Sequence, residues 1–186
     1  MRIALTNTER SYGLVSQSFH WLVVALIGFQ YVWAWRIGET EGLRARLELV
    51  TQHKTIGMAV LVLAASRLLW RLLNRPPPLP GHMQPWERLA AKAGHWLLYA
   101  LIFAQPLSGW LYSSAAGYGE YWWGPIEIPS PVSSSEDLEA LFAGTHEFLG
   151  VALLVVAGVH ALAALRHHFL LRDDVLKRML PIWRKE

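Results

Sequence analysis

Four long apolar stretches alternate with short polar segments along the chain. Each is about 20 residues or more, the length that a helix needs to cross the hydrocarbon core of a bilayer. The predicted spans cover residues 16–37, 52–73, 86–113 and 138–171. Because they fill most of the chain, the pattern predicts an all-α fold. We expect a single domain over residues 1–186, an integral membrane four-helix bundle.

The polar segments between the spans differ in character. Residues 38–50 form a charged loop, and the prolines of segment 76–81 cannot continue a helix because proline lacks the backbone donor. A longer loop rich in Gly, Pro, Tyr and Trp occupies residues 113–135. The fourth apolar segment, counted from Ser135, is about 55 Å long as a helix, which exceeds one straight crossing. Either its first turns project beyond the bilayer, or Gly144 separates a surface helix from the span.

Charge orients the predicted bundle. Only 17% of the residues are charged, against about 25% in a typical soluble domain. Lys and Arg concentrate in the first, third and last polar segments. The loop before the fourth span carries acidic residues and no Lys or Arg. The positive-inside rule therefore predicts that both termini are cytoplasmic in a multi-pass protein whose surroundings are membrane lipid. Basic cytoplasmic loops also explain the net charge of +3 without a nucleic-acid partner.

Histidine is the residue that suggests chemistry. The chain has no cysteine, which excludes thiolate metal sites and covalent c-type haem, so any metal must be held by other ligands. Ionisable residues inside a membrane are costly and are functional candidates by default. Six of the eight histidines lie at or inside predicted spans, while His82 and His168 are assigned no role. The six are His20, His53, His95, His146, His160 and His167.

The depths of these histidines suggest two sites. His146, His160 and His167 are 14 and 7 residues apart on one face of the fourth span. The first two are separated by about 21 Å along the helix axis, so they lie near opposite edges of the hydrocarbon core. His53 lies at the outer level with His146, and the two could ligate one haem iron from opposite faces. At the inner level His160 has two possible partners, His20 and His95, and spacing does not choose between them.

Clustered imidazoles also allow a different chemistry. Imidazole sites suit zinc, copper or nickel, and a histidine-lined pathway could transport a metal ion or protons without haem. Such sites usually recruit carboxylates too, and only Glu147 is close to the histidine set. The lack of acidic relays inside the spans weighs against this alternative.

Short motifs in all four spans resemble the bacterial cytochrome b561 family, over nearly the whole chain and in the right order. The matching motifs are Ser18-Phe19-His20-Trp21-Leu22, His53-Lys54-Thr55-Ile56-Gly57, Ser66-Arg67-Leu68-Leu69-Trp70-Arg71, Gly94-His95, Gln105-Pro106-Leu107-Ser108-Gly109, His146-Glu147, His160-Ala161 and Arg166-His167-His168-Phe169. Members are small dihaem b-type proteins of the bacterial inner membrane. Their best-known function is superoxide:ubiquinone oxidoreduction.

The resemblance implies two haem b groups per chain, with His20 and His160 as axial ligands of the inner haem iron and His53 and His146 of the outer one. It implies that His95 and His167 contact quinone, although both could instead make ordinary hydrogen bonds between helices. No residue is expected to act as a catalytic group. Arg67 could pair with a haem propionate or snorkel to the headgroups.

Function follows from the same resemblance. Electrons would enter at the periplasmic face, from superoxide or another donor, and reduce ubiquinone near the cytoplasm. The outer bases that could attract superoxide are Arg36, Arg44, Arg46 and Lys54. An alternative within electron transfer is a membrane-anchor subunit that passes electrons from a periplasmic hydrogenase or dehydrogenase to quinone.

Overall fold

A computed structural model describes residues 4–118, 121–123 and 126–180, and within them it contains four α-helices and one short β-hairpin. The helices are α1 Leu14–Glu39, α2 Leu43–Leu73, α3 Pro85–Ala115 and α4 Glu136–Phe169. The strands are β1 Tyr121–Trp123 and β2 Ile126–Ile128, which pair antiparallel with Tyr121 opposite Ile128. The helical architecture is as predicted. The hairpin lies within the predicted loop 113–135, and its sequence contains aromatic and β-branched residues, which favour strands.

Helix α2 begins well before its predicted span. Residues 43–51, expected to belong mostly to a charged loop, form its first turns. They include leucine, arginine and glutamate but neither glycine nor proline, so nothing in them interrupts a helix. Gly42 has a φ of +91°, a left-handed conformation that glycine adopts without strain, and it separates α1 from α2.

Helix α4 is continuous through Gly144, so this glycine does not divide a surface helix from a span. The hydroxyl of Ser135 accepts a hydrogen bond from the backbone N–H of Leu138 (3.5 Å) and caps the helix. Acidic residues occupy the first turn and basic residues the last, which complements the helix dipole at both ends. At 34 residues, α4 extends beyond one straight crossing of a bilayer core about 30 Å thick.

Three of the four described helices, α1, α2 and α4, are long and apolar enough to cross a membrane. Helix α3 contains polar side chains such as Gln105 and Ser108, and it continues through Pro106. Apolar side chains on α4 point outward, with Phe148 71% and Leu162 67% exposed. Such faces suit lipid rather than water.

The chain divides into two compact units, and every helix contributes residues to both. Unit 1 comprises Met1–Ala25, Leu63–Tyr99 and Val155–Glu186, and unit 2 comprises Leu26–Val62 and Ala100–Leu154.

Polar contacts join the helices within each unit. In unit 1 the Asn7 side chain donates to the carbonyl of Asn74 (3.1 Å) and accepts from the N–H of Gly13 (3.0 Å). In unit 2 the Tyr31 hydroxyl donates to the carbonyl of Gly150 (2.6 Å). Inside apolar helix packing, these bonds fix the pairing of neighbouring segments.

Gly13 provides a test of how the N-terminal segment packs in unit 1. A Cβ at this position would collide with backbone oxygens of Leu5 and Thr6, whereas a Cβ on Gly28, in α1, would meet no atom within 4 Å. Because backbone cannot easily yield, Gly13→Ala should lower the free energy of unfolding by about 1–3 kcal/mol. Gly28→Ala should leave it unchanged or raise it slightly, since alanine favours helix.

Thermal unfolding of the two variants in the same detergent measures this difference. Equal melting temperatures for Gly13→Ala and Gly28→Ala would show that the segment before α1 does not pack as described.

Candidate functional site

Each unit contains a pair of histidine rings that face each other. In unit 2 the ring centroids of His53 (α2) and His146 (α4) are 6.3 Å apart, with an interplanar angle of 86°. In unit 1 those of His20 (α1) and His160 (α4) are 6.4 Å apart, with an angle of 72°. Two imidazoles on opposite sides of a metal ion, with metal–nitrogen bonds of about 2 Å, place their ring centres roughly 6 Å apart. Both pairs therefore have the separation that a shared metal requires.

The pair in unit 2 borders a cavity of about 650 Å³, which we call the His53 cavity. This volume is within the range of about 300–1,000 Å³ that is usual for small-molecule sites. Most of the lining is apolar, and the polar side chains include Gln30, Gln105 and both histidines. The cavity thus combines space for a large apolar group with two metal-ligating rings.

The protonation of His146 is set by helix α3. Its Nδ1 lies 3.1 Å from the backbone oxygen of Gln105 and 3.0 Å from the hydroxyl of Ser108. A carbonyl only accepts, so the proton is on Nδ1, and Nε2 accepts from the side-chain amide of Gln105 (3.2 Å). Metal-binding histidines usually donate their second ring nitrogen to a carbonyl or carboxylate in this way. Nε2 therefore has a lone pair that could bind a metal ion.

Glycines make room in the His53 cavity. A Cβ on Gly109 would lie 2.9 Å from Cε1 of His146, so only glycine permits this ring position without a shift. Buried polar atoms in the same cavity, among them Nδ1 of His53 and the side-chain oxygens of Gln30 and Gln105, have no hydrogen-bond partner among the described residues. Buried polar groups normally find partners. The donor set and the space fit a haem between His53 and His146.

The pair in unit 1 borders a smaller cavity of about 130 Å³, which we call the His20 cavity. Its lining includes His95, whose ring centroid is 5.3 Å from that of His160. The Arg67 guanidinium points inward, 3.0 Å from Nδ1 of His20 and 5.5 Å from the ring centre of Tyr99. The histidines fit a haem here, but the space does not unless Arg67 leaves His20.

Tyr12 lies at the edge of the same cavity, just before α1. Burial raises the pKa of its hydroxyl, and the nearby charges of Arg71 and Arg67 offset this only in part. The hydroxyl therefore stays neutral at physiological pH and can donate a hydrogen bond into the His20 cavity.

His167 does not line the His20 cavity, although the resemblance implied that it contacts quinone together with His95. Its Nδ1 is 2.6 Å from a carboxylate oxygen of Asp173, and the same oxygen is 3.2 Å from Nε2 of His82. Partial burial raises the pKa of Asp173. Hydrogen bonds from His167, the Val175 N–H and His82 lower the pKa by more than burial raises it, so the pKa of Asp173 is below its usual value.

Sequence reasoning did not anticipate this cluster, because Asp173 lies outside the spans and His82 was given no role. A search for polar residues near the end of the fourth span would have found Asp173. Gln105 and Gly109 did stand in a recognised motif, and their spacing of four residues on one helix face would have paired them with a common neighbour.

Comparison with known proteins now adds to this geometry. The chain matches the family model described as prokaryotic cytochrome b561 over residues 11–181. It is 36% identical over 183 residues to cytochrome b561 homolog 2 of Escherichia coli (strain K12), which covers 96% of this chain and 95% of that protein. The chain belongs to the prokaryotic cytochrome b561 family.

Two further relatives extend the comparison. The chain is 32% identical over 178 residues to the probable superoxide oxidase CybB of Yersinia pestis, with 93% of this chain and 97% of that protein covered. It is 28% identical over 181 residues to cytochrome b562 of Cereibacter sphaeroides. Membership of the family means that the chain is a haem b protein of transmembrane electron transfer. A transporter without haem is not supported.

Gly109 tests whether the position of His146 governs haem binding. Gly109→Ala should displace the imidazole, because the new methyl group would overlap Cε1 of His146. We expect loss of a large part of the bound haem or a shift of its absorption bands. The matched control is Gly94→Ala on the same helix, where a Cβ meets no atom within 4 Å. Absorption spectra of purified variants measure the effect, and identical spectra for both would contradict the proposed role of His146.

Proposed function

We propose that the chain holds two haem b groups, one between His53 and His146 and one between His20 and His160. The observation that supports this most directly is the spacing of 6.3 and 6.4 Å between the paired rings, one pair in each unit. A haem held between two imidazoles passes single electrons and leaves no open position for small ligands. Filling the His20 cavity requires the Arg67 side chain to move away from His20.

For the quinone contact we propose His95. It lines the His20 cavity together with Tyr12, so a quinone bound at the rim of this cavity, next to the inner haem, could contact an imidazole and a neutral phenol hydroxyl. Either side chain can donate a hydrogen bond to a quinone carbonyl. His167, the other histidine implied by the family, is engaged by Asp173 and does not line this cavity, and we propose a different role for it below.

The proposed topology has four spans in the bacterial inner membrane, with both termini in the cytoplasm and the His53 cavity toward the periplasm. Loop charge supports this orientation. The apolar faces of α1, α2 and α4 support membrane insertion, and α3 completes the bundle as the fourth span. Because His146 and His160 are 14 residues apart on α4, electrons entering near one could leave near the other.

Superoxide is the proposed donor and ubiquinone the proposed acceptor. Arg46 and Lys54 line the His53 cavity, and Glu147 is an acidic side chain there, so cations outnumber anions in the lining. Positive charge at a cavity attracts an anion such as superoxide. Two superoxide anions would give two dioxygen molecules and two electrons, which with two protons convert quinone to quinol. The name of the Yersinia pestis relative supports the same donor.

Replacing the histidines one pair at a time tests the ligand assignment. By a pyridine haemochrome assay we expect about two b haems per chain in the unaltered protein and about one in each of His53→Ala, His146→Ala, His20→Ala and His160→Ala. The double variant His53→Ala/His146→Ala should also keep about one, because both changes affect the same haem.

Two outcomes decide this assignment. His95→Ala should keep both haems, since His20 rather than His95 is the proposed ligand. If His95→Ala loses a haem while His20→Ala keeps both, the inner pairing is His95 with His160. If His53→Ala/His146→Ala loses both haems, the two histidines do not share one.

The donor is tested by mixing the oxidised protein with superoxide in a stopped-flow instrument. We expect rapid haem reduction, and reoxidation when a ubiquinone analogue is added. Arg46→Gln should slow the reduction several-fold at low ionic strength, because it removes a charge from the His53 cavity. The matched control is Arg75→Gln, because Arg75 is an exposed arginine of unit 1, and this change should leave the rate of reduction unaltered.

Absence of reduction by superoxide would exclude this donor. The anchor-subunit alternative then predicts reduction only when a periplasmic hydrogenase or dehydrogenase with its own redox centres is supplied.

A further inference from the structure

Three side chains from separate segments of unit 1 converge at one point. His82 follows the proline-rich segment, His167 is in the last turn of α4, and Asp173 follows that helix. One ligand atom from each lies within 4.8 Å of the other two. The haem and quinone proposals use none of these contacts.

Backbone conformation and hydrogen bonds hold the Asp173 carboxylate in this cluster. Arg172 has a φ of +54°, a left-handed conformation uncommon for a residue with a side chain, and it directly precedes Asp173. The Asp173 backbone N–H donates to the carbonyl of His167 (3.1 Å), and its second carboxylate oxygen accepts from the N–H of Val175 (3.0 Å). These bonds hold the carboxylate against His167, which is only 7% exposed. His82 completes the cluster from the solvent side, with its side chain 55% exposed.

Two imidazoles and one carboxylate are a donor set that binds first-row divalent metals such as zinc, which take three protein ligands and leave further positions for water. The 3.2 Å between Nε2 of His82 and the Asp173 oxygen is close to the separation of two ligands on one tetrahedral ion. In the absence of a metal, the imidazole N–H groups donate to the carboxylate, so the ion would replace their protons.

The two segments beside this cluster also border the His20 cavity. Pro76 to Pro80, just before His82, line the cavity, as do Val175, Leu176, Arg178 and Met179, just after Asp173. We propose that His82, His167 and Asp173 form a binding site for a divalent transition-metal ion that fastens the proline-rich segment to the segment after α4. The proposed metal site does not depend on the haem proposal. Only its effect on access to the His20 cavity rests on the proposed function.

The test is a titration of the haem-loaded protein, purified without a polyhistidine tag, with Zn²⁺ by isothermal titration calorimetry. We expect one saturable site per chain. Asp173→Asn and His82→Ala should each weaken Zn²⁺ affinity by more than about 100-fold. Loss of a residue that only hydrogen-bonds a ligand costs roughly 10–100-fold, and these two residues would bind the ion directly. Asp174→Asn is the matched control, because Asp174 is the adjacent residue, its side chain is 57% exposed and it forms a salt bridge with Lys177 outside the cluster. Its affinity should match that of the unaltered chain.

Hydrogen exchange provides a second measurement. Zn²⁺ should slow amide exchange in residues 76–82 and 173–179 of the unaltered protein and leave it unchanged in His82→Ala, whose exposed site tolerates substitution. No saturable binding, or equal binding by the unaltered chain, His82→Ala and Asp173→Asn, would overturn the proposal. Either result would leave the haem stoichiometry, and so the proposed function, untouched.

Discussion

The N–H of a buried imidazole in an apolar helix bundle is costly to leave without a hydrogen-bond acceptor, and the arrangement around His146 depends on this constraint. Helix α3 supplies the partner for Nδ1 through the Gln105 carbonyl and the Ser108 hydroxyl. That contact is possible only because residue 109 is glycine and lets the ring approach the helix. Nε2 then faces the His53 cavity as an acceptor. The contacts of His146 with Gln105 and Ser108 thus join α3 to α4 and leave Nε2 as the acceptor nitrogen.

The two units use the same pair of facing imidazoles and differ in what surrounds them. In unit 2 the cavity of about 650 Å³ has the size and the apolar lining that a macrocycle needs. In unit 1 the Arg67 guanidinium is against His20, and the space is about 130 Å³. If a group with a carboxylate enters the His20 cavity, the Arg67 guanidinium could leave His20 and pair with that carboxylate. A guanidinium at this position can form a bidentate pair with a carboxylate that enters the His20 cavity.

Much of this site could be predicted from the sequence because helical periodicity and membrane depth are strong constraints. They paired His53 with His146, and both His20 and His95 with His160, and the structure places these rings close together. The early start of α2 and the hairpin were not predicted, because the loop segments in which they lie have no clear periodicity of apolar residues. The meeting of His82 with Asp173 could not be predicted, since it depends on how a proline-rich segment and a left-handed Arg172 fold back.

The central claim is that paired imidazoles from different helices ligate haem iron, and electron paramagnetic resonance of the oxidised protein tests it most directly. Ring planes at 86° and 72° would leave the d orbitals of an iron bound between them nearly degenerate. We therefore expect two low-spin ferric signals with strong anisotropy, of which His146→Ala removes one and His160→Ala the other. A high-spin spectrum in the unaltered protein, or one that neither substitution changes, would contradict the account.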